Sequence, residues 1–198
     1  MARPREFDPQ AALQTAINVF WEKGYFDASV DEVVKRSGVA KYGLYGTFGT
    51  KRELFIAALK QYGKDRRADI QQPIRRPDAS LPQILEYFRE GSKRVMHTSS
   101  NKRGCLLCNS GIELGSQDPE VRSIVDGFFA EQADVLRSCL ETAIEKGEID
   151  PDSDVDNLSK FLATEFRVLV MLAASGTPLP EIENHLEVAL QVLKVDSR

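Results

Sequence analysis

The amino-acid sequence predicts an all-α protein with about nine helices. Apolar residues recur at intervals of three and four residues in nearly every segment, and no stretch alternates with the period of two that is typical of a strand. Glycine, proline and capping residues interrupt this pattern where helices begin and end. With 198 residues, the chain is long enough to bury a substantial core without disulfides.

Four helices are predicted in the N-terminal third: about 8–23 followed by Gly24, a short one from the Ser29 cap to about Ser37, about 40–47, and a longer one that follows Thr50. The runs 29–32 and 50–53 are capping boxes, in which a hydroxyl and a carboxylate satisfy each other's backbone N–H groups. In the third helix, Leu44 and Phe48 have the spacing of a buried pair.

Five more helices are predicted after a proline-containing break at 72–77: about 81–97, 105–114, 119–146, 154–175 and 180–194. The net charge changes sign at this break. Residues 1–77 hold 14 Lys and Arg against 9 Asp and Glu, a net +5, and the remainder holds 12 against 21, a net −9. The basic part suits a phosphate-bearing partner, and the acidic part suits some other task. We therefore predict domains at 1–66 and 79–198, joined by a connecting segment at 67–78.

The first domain has the layout of a helix-turn-helix, with a capped short helix, a Ser-Gly turn and a second short helix. The runs AINVFWEKGY (16–25) and SVDEVVKRSGVAKYGLYGTFGTKRELF (29–55) resemble the N-terminal domain of the TetR family of transcriptional regulators. The resemblance covers about a third of the chain and includes Gly38, Val39, Lys41, Leu44, Tyr45, Phe48, Lys51, Leu54 and Phe55. It implies a regulator, usually a repressor, that binds a palindromic operator as a dimer and is released by a small molecule.

The candidate DNA-contacting residues are Ala40, Lys41, Tyr42, Gly43, Tyr45, Gly46, Thr47, Thr50 and Lys51. Lys41 and Lys51 can neutralise phosphates, and the Tyr45 hydroxyl can donate to a phosphate oxygen. The free amides at the start of the fourth helix offer a further anion site. Tyr42 and Thr47 are the candidates for contacts with base edges.

Three positions depart from the family pattern. Ala40 stands where the family usually has Ser or Thr, so the recognition helix lacks a side-chain cap worth about 1 kcal/mol. Gly43 and Gly46 replace larger residues, each at a cost of about 0.8–1 kcal/mol in helix propensity. We expect this helix to be loosely held in the free protein and to become ordered on operator DNA.

Arg3 and Arg5 precede the first helix. Two interpretations remain open for them: a basic arm that reaches a neighbouring groove or phosphate, and a solvated tail.

The helices at 154–175 and 180–194 are the candidate homodimer interface. The first of them is apolar nearly all round after Phe166 and must be covered on more than one side. The resemblance implies that the two helices pair with their mates as a four-helix bundle; packing within the monomer is the alternative.

The resemblance also implies a small-molecule pocket in the second domain. Its candidate residues are Phe88, Met96, Cys105, Cys108, Phe128, Phe129, Gln132, Phe161, Glu165 and Phe166. An apolar cavity with one or two polar groups suits an aromatic or lipophilic effector. The alternative for each aromatic residue is an ordinary place in the core.

Cys105 is a candidate redox or electrophile sensor. If a helix starts there, the thiol lies at a helix N-terminus beside Lys102 and Arg103, and both features lower a thiol pKa. The Gly-Cys-Leu element resembles the N-ethylmaleimide-reductase repressor subgroup. Inert packing is the alternative, as it is for Cys139.

Other functions receive less support. An odd count of three cysteines cannot form a closed disulfide framework, so a cytoplasmic location is expected. The longest apolar run, 168–174, is too short for a membrane span. The two histidines, His97 and His185, belong to no catalytic or metal-binding motif, so neither an enzyme nor a metal or other cofactor is expected. A purely architectural DNA binder would not need the acidic domain.

Overall fold

The computed structural model describes the backbone of residues 7–99 and 104–193, and the side chains of 7–94 and 104–193. The predictions for Arg3, Arg5, Lys102 and Arg103, and for the side chains of Met96 and His97, lie outside the described residues. This described part contains nine α-helices and two short 3₁₀ turns and no strand, which confirms the all-α fold.

The helices are α1 Pro9–Asp27, α2 Val30–Ser37, α3 Lys41–Phe48, α4 Lys51–Asp69, α5 Leu81–Ser99, α6 Leu106–Leu114, α7 Pro119–Glu145, α8 Val155–Ala174 and α9 Leu179–Ala189. The 3₁₀ turns are Pro73–Arg75 and Leu190–Leu193. Within the described ranges, none of these helices combines the length and apolar character that a membrane crossing requires.

Local sequence signals account for the helix ends in the N-terminal part. The N–H of Thr50 donates to Glu53 Oε2 at 2.7 Å, and the N–H of Glu53 donates to Thr50 Oγ1 at 3.2 Å. Ser29 Oγ accepts from the N–H of Glu32 at 3.2 Å, and Gly38 ends α2 with a left-handed φ of 71°. Both predicted capping motifs therefore start a helix.

Three details differ from the sequence prediction. Helix α1 breaks at Gly24, with φ 75° and ψ −178°, but resumes for one turn to Asp27. The proline-containing break contains the 3₁₀ turn Pro73–Arg75. The last predicted helix ends as an α-helix at Ala189 and continues as the 3₁₀ turn Leu190–Leu193. Phe48, the last residue of α3, is predicted to be buried with Leu44 but is only half-buried in the structure.

The N-terminal helices form one compact unit with a later part of the chain. This first unit comprises the residues up to Lys64 together with Leu106–Val125, so it includes α6 and the first turns of α7. Within its core, the rings of Phe20 and Phe55 have centroids 4.9 Å apart. Helix α6 falls within the predicted C-terminal domain, whereas in the structure it packs with the N-terminal helices.

Ion pairs join α4 to the start of α7 within the first unit. Arg52 donates to both carboxylate oxygens of Asp118, at 2.7 and 2.9 Å, and to Glu120 at 3.0 Å. The Arg52 guanidinium lowers the pKa of Asp118 to about 2, so the carboxylate stays charged near neutral pH. Asp118 also caps α7, because it accepts from the N–H groups of Glu120 and Val121.

The second unit comprises Asp65–Cys105 and the chain from Asp126 onward. Its core contains a buried aromatic cluster in which Tyr87 stacks on Phe166, with centroids 4.7 Å apart. Gly91 of α5 makes room for this ring, because a Cβ at Gly91 would lie 2.6 Å from Cε2 of Phe166.

Gly91→Ala is expected to destabilise the protein relative to Gly127→Ala. Both substitutions replace a helical glycine and gain about 0.8–1 kcal/mol of helix propensity. Only Gly91→Ala forces a methyl group against Phe166, because a Cβ at Gly127 meets open space. Overpacking of this kind costs about 1–3 kcal/mol. Urea unfolding followed by circular dichroism measures the difference, and equal unfolding free energies would contradict the packing described.

Candidate functional site

Helices α2 and α3 and the turn between them form a helix-turn-helix. Val33 of α2, Val39 of the turn and Leu44 of α3 are all buried. Leu44 is the one buried side chain of α3, and the opposite face of the helix lies in water. Tyr42 on α3 is 90% exposed and Tyr45 is 42% exposed, so this short helix presents two aromatic side chains to solvent.

The structure leaves every predicted DNA-contacting residue accessible. Six are exposed, namely Ala40, Lys41, Tyr42, Tyr45, Gly46 and Thr50, and three are partly exposed, namely Gly43, Thr47 and Lys51. A surface that must contact a second macromolecule requires this accessibility. Their contacts with DNA stay a prediction.

Gly43 has a packing role that the sequence did not indicate. A Cβ at this position would lie 3.0 Å from Cε1 of Phe7 and 3.6 Å from Cγ1 of Val39. The ring of Phe7, which lies two residues before α1, therefore covers Gly43 on α3. Glycine at position 43 lowers the helix propensity of α3, but it leaves the space in which the Phe7 ring packs.

Several basic side chains of the helix-turn-helix are held by carboxylates. Lys41 Nζ lies 2.7 Å from Asp31 Oδ1, and this hydrogen bond raises the pKa of Lys41. Arg36 bridges Glu22 at 2.7 Å and Glu32 at 2.5 Å. Exposed pairs of this kind contribute little to stability, so a phosphate can replace the carboxylate at small cost.

Lys51 is held in a different way. Its ammonium donates to the carbonyl oxygen of Phe26 at 3.2 Å and lies 4.7 Å from the centroid of the Tyr25 ring. Neither a carbonyl nor a ring cancels the charge of the ammonium. Lys51 is therefore poised at the start of α4 with its charge available to an anion.

Three of the predicted pocket residues, Phe88, Phe166 and Gln132, come together in the core of the second unit. They meet through Tyr87, which the prediction missed: Gln132 Nε2 donates to the Tyr87 hydroxyl at 2.8 Å, and both side chains are buried. Burial raises the pKa of Tyr87 well above its ordinary value, so the phenol stays protonated. Tyr87 precedes Phe88 on the inward stripe of α5, and helical spacing was the signal that could have found it.

The other predicted pocket residues of the second unit make further contacts. Phe128 and Phe129 of α7 lie under arginines: the guanidinium of Arg67 is 4.9 Å from the first ring and that of Arg167 is 3.6 Å from the second. Phe161 is 37% exposed, so it lies at the surface of α8. Glu165, also on α8, lies 2.7 Å from His185 Nε2.

The three cysteines carry reduced thiols in different environments. Cys105 immediately precedes α6 and is half-buried, and its thiol contributes to the raised pKa of Tyr87. Cys108 is half-buried on α6, in the first unit. Cys139 is buried, and burial raises the pKa of its thiol to about 11, as expected for a cysteine of the core.

Two family models match the chain. The model described as tetracyclin repressor-like, C-terminal domain, matches residues 81–191, and the model of the tetR family of bacterial regulatory proteins matches residues 12–58. The chain belongs to the TetR family. It is therefore a DNA-binding transcriptional regulator, which confirms the resemblance seen in the first domain.

Individual TetR-family relatives match over most of their length. The uncharacterised HTH-type transcriptional regulator YezE of Bacillus subtilis is 30% identical over 98% of this chain and 100% of its own. The repressor ComR of Escherichia coli is 26% identical over 91% of this chain and 86% of its own. Among solved structures, a cysteine mutant of the TetR-family regulator CifR, complexed with 26-bp double-strand operator DNA, has 28% identity and a TM-score of 0.79 over 96% of this chain and 98% of its own.

In this TetR-family regulator, Ala40→Ser is expected to stabilise the recognition helix. Ala40 occupies the N-cap of α3 and makes no side-chain hydrogen bond, so the amides of 41–48 should exchange faster than those of α1. A serine hydroxyl adds about 1 kcal/mol of capping, which slows exchange about fivefold. Ala40→Val supplies no acceptor and serves as the control. Equal exchange of α1 and α3 in the wild type would contradict the expected looseness of α3.

Proposed function

We propose that this TetR-family regulator is a repressor that binds a palindromic operator as a homodimer and is released when a small molecule binds in its second unit. The observation that carries the proposal is the water-exposed outer face of α3, with aromatic and basic side chains on a helix held by capped neighbours. Two such helices in a dimer match half-sites about 34–36 Å apart.

The proposed contacts divide into those that position the protein and those that read sequence. Lys41 leaves its ion pair with Asp31 and binds a phosphate instead. The Lys51 ammonium, which is bound to a carbonyl oxygen rather than to a carboxylate, binds a second phosphate. Tyr45 donates to a phosphate oxygen, while Tyr42 and Thr47 reach base edges. Gly46 has open space around it, so the α3 backbone can approach the groove closely.

Helices α8 and α9 support the dimer part of the proposal. Met171 of α8, Val188 of α9 and Val192 of the following 3₁₀ turn are 55%, 58% and 47% exposed. Exposed apolar side chains on neighbouring helices are typical of a surface that a partner covers. In a two-fold homodimer the partner is the same surface of a second copy.

The effector part of the proposal rests on the aromatic cluster of the second unit. Tyr87 and Gln132 are polar groups buried among aromatic rings, and such a combination suits an aromatic or lipophilic effector with one hydrogen-bonding group. The effector would weaken operator binding by the same factor by which operator DNA weakens effector binding.

Release by electrophiles at Cys105 is a second candidate, favoured by one observation. Cys105 belongs to the second unit, as Tyr87 does, and its charge contributes to the raised pKa of Tyr87, so an adduct would form in the unit that contains the proposed effector site. In the reaction, the thiolate adds to an electron-poor alkene: a carbon–sulfur bond forms as the carbon–carbon π bond breaks, and the other alkene carbon takes a proton from water.

Capture of genomic fragments by the purified protein, followed by gel shifts with and without candidate effectors, tests the main proposal. A repressor of this kind selects two-fold symmetric sequences near the genes it controls, and an effector releases them. Failure of the wild type to enrich any symmetric sequence would refute the proposal.

Val188→Asp is expected to convert the dimer to a monomer and to abolish tight operator binding. A two-fold interface buries the new carboxylate twice without a partner charge, which should weaken dimerisation by at least about 100-fold. Val188→Ala removes apolar surface but adds no charge, and it should remain dimeric at micromolar concentration. Sedimentation equilibrium measures both variants. A Val188→Asp dimer as stable as the wild type would exclude this face as the interface.

Cys105→Ser is expected to abolish release by N-ethylmaleimide if the second candidate is correct. Cys108→Ser changes a thiol of similar exposure three residues away and should leave that release intact. Gel shifts of the operator complex before and after treatment compare the three proteins. Release of the Cys105→Ser complex at the wild-type rate would eliminate electrophile sensing at this residue without affecting the main proposal.

A further inference from the structure

We propose that Glu113 of α6 is a positioning residue for DNA binding. Its carboxylate holds the turn at the end of α1, and that turn holds Lys51 where it can contact a phosphate. The inference rests on the proposed function only for the role of Lys51, and all the residues it uses lie in the first unit.

The break in α1 leaves two backbone donors that need an acceptor. Gly24 interrupts the helical geometry, so the N–H groups of Tyr25 and Phe26 lose their usual carbonyl partners. Glu113 accepts both: the N–H of Tyr25 donates to Oε2 at 2.9 Å, and that of Phe26 donates to Oε1 at 3.0 Å. One carboxylate thus caps the last turn of α1, with hydrogen bonds strengthened by its charge.

Gly24 is matched to this carboxylate. A Cβ at Gly24 would lie 2.8 Å from Oε2 and 2.9 Å from Oε1 of Glu113, so any side chain would displace the carboxylate. The φ of 75° also favours glycine at this position. Glycine at residue 24 and glutamate at residue 113 therefore form one structural feature.

The two residues that bind Glu113 are also the two that hold Lys51. The carbonyl of Phe26 accepts from Lys51 Nζ, and the ring of Tyr25 lies beneath the same ammonium. An ammonium has three N–H donors, and the Phe26 carbonyl takes one of them. The remaining donors can bind a phosphate oxygen while the turn keeps the ammonium in place.

The direction in which Glu113→Ala changes the affinity for DNA distinguishes a positioning role of Glu113 from a general electrostatic effect. Glu113→Ala removes a negative charge from the DNA-binding unit, and by long-range electrostatics alone it should tighten binding to a polyanion. Loss of the support for Lys51 should weaken binding instead. The direction of the change therefore decides between the two.

The experiment measures affinity for a duplex that the wild type has selected from a randomised double-stranded DNA library, over a range of salt concentrations. Glu113→Ala is expected to bind about tenfold more weakly, since it loses two charge-assisted hydrogen bonds. The plot of log affinity against log salt should become less steep by about 0.9, which corresponds to the loss of one phosphate contact. Lys51→Ala should show the same decrease in steepness. The double variant should bind no more weakly than Lys51→Ala alone, because both changes remove the same contact.

Glu120→Ala is the matched control. It also removes a carboxylate from the first unit, but its partners Arg52 and Lys60 lie on α4 rather than on the turn of α1. This variant should keep the wild-type salt slope. Should Glu113→Ala fail to fold by circular dichroism, Glu113→Gln retains one acceptor oxygen and should show a smaller change in the same direction.

Unchanged or tighter binding by the folded Glu113 variant would overturn the inference, and so would additive losses in the double variant or an equal loss in Glu120→Ala. Failure of the wild type to select any duplex would instead refute the proposed function.

Discussion

Helix α3 buries a single side chain, Leu44, and the rest of its short surface is exposed or half-buried. In the proposed function this surface contacts DNA. An isolated helix of eight residues is not stable, so its neighbours must hold it. The left-handed Gly38 fixes its entry, the capping box at 50–53 starts the helix that follows it, and the ring of Phe7 covers Gly43. The position of α3 is therefore set by the residues on either side of it in the chain and by Phe7.

Two carboxylates join distant segments of the first unit through hydrogen bonds. Glu113 accepts two backbone N–H groups of α1, and Asp118 accepts from Arg52 of α4 while it caps its own helix. Both groups belong to residues 106–125, which follow α5 in the chain and yet pack with the N-terminal helices. The strength of a hydrogen bond depends steeply on its distance and angle. These hydrogen bonds therefore fix the position of α6 within the first unit more narrowly than apolar contacts alone would.

The second unit departs from a simple helical core in two places. Tyr87 and Gln132 bury polar groups among aromatic rings, and their mutual hydrogen bond offsets part of the desolvation cost. Met171 and Val188 leave apolar surface in water, where it contributes nothing to the stability of a monomer. Both departures suit the proposed function, since a repressor of this kind needs an internal site for a small molecule and a surface for a second copy.

The sequence by itself determined the all-α class, most helix bounds and the capping motifs, because these depend on residues within one or two turns of each other. It also indicated the family, because the residues that carry the resemblance lie in one nearly continuous stretch, 16–55. It also identified Ala40 as an N-cap without a side-chain acceptor. Only the tertiary structure paired Gly24 with Glu113, Gly91 with Phe166 and Tyr87 with Gln132. These partners are 45 to 89 residues apart, and helical periodicity records which face of a helix is buried but not which distant side chain covers it.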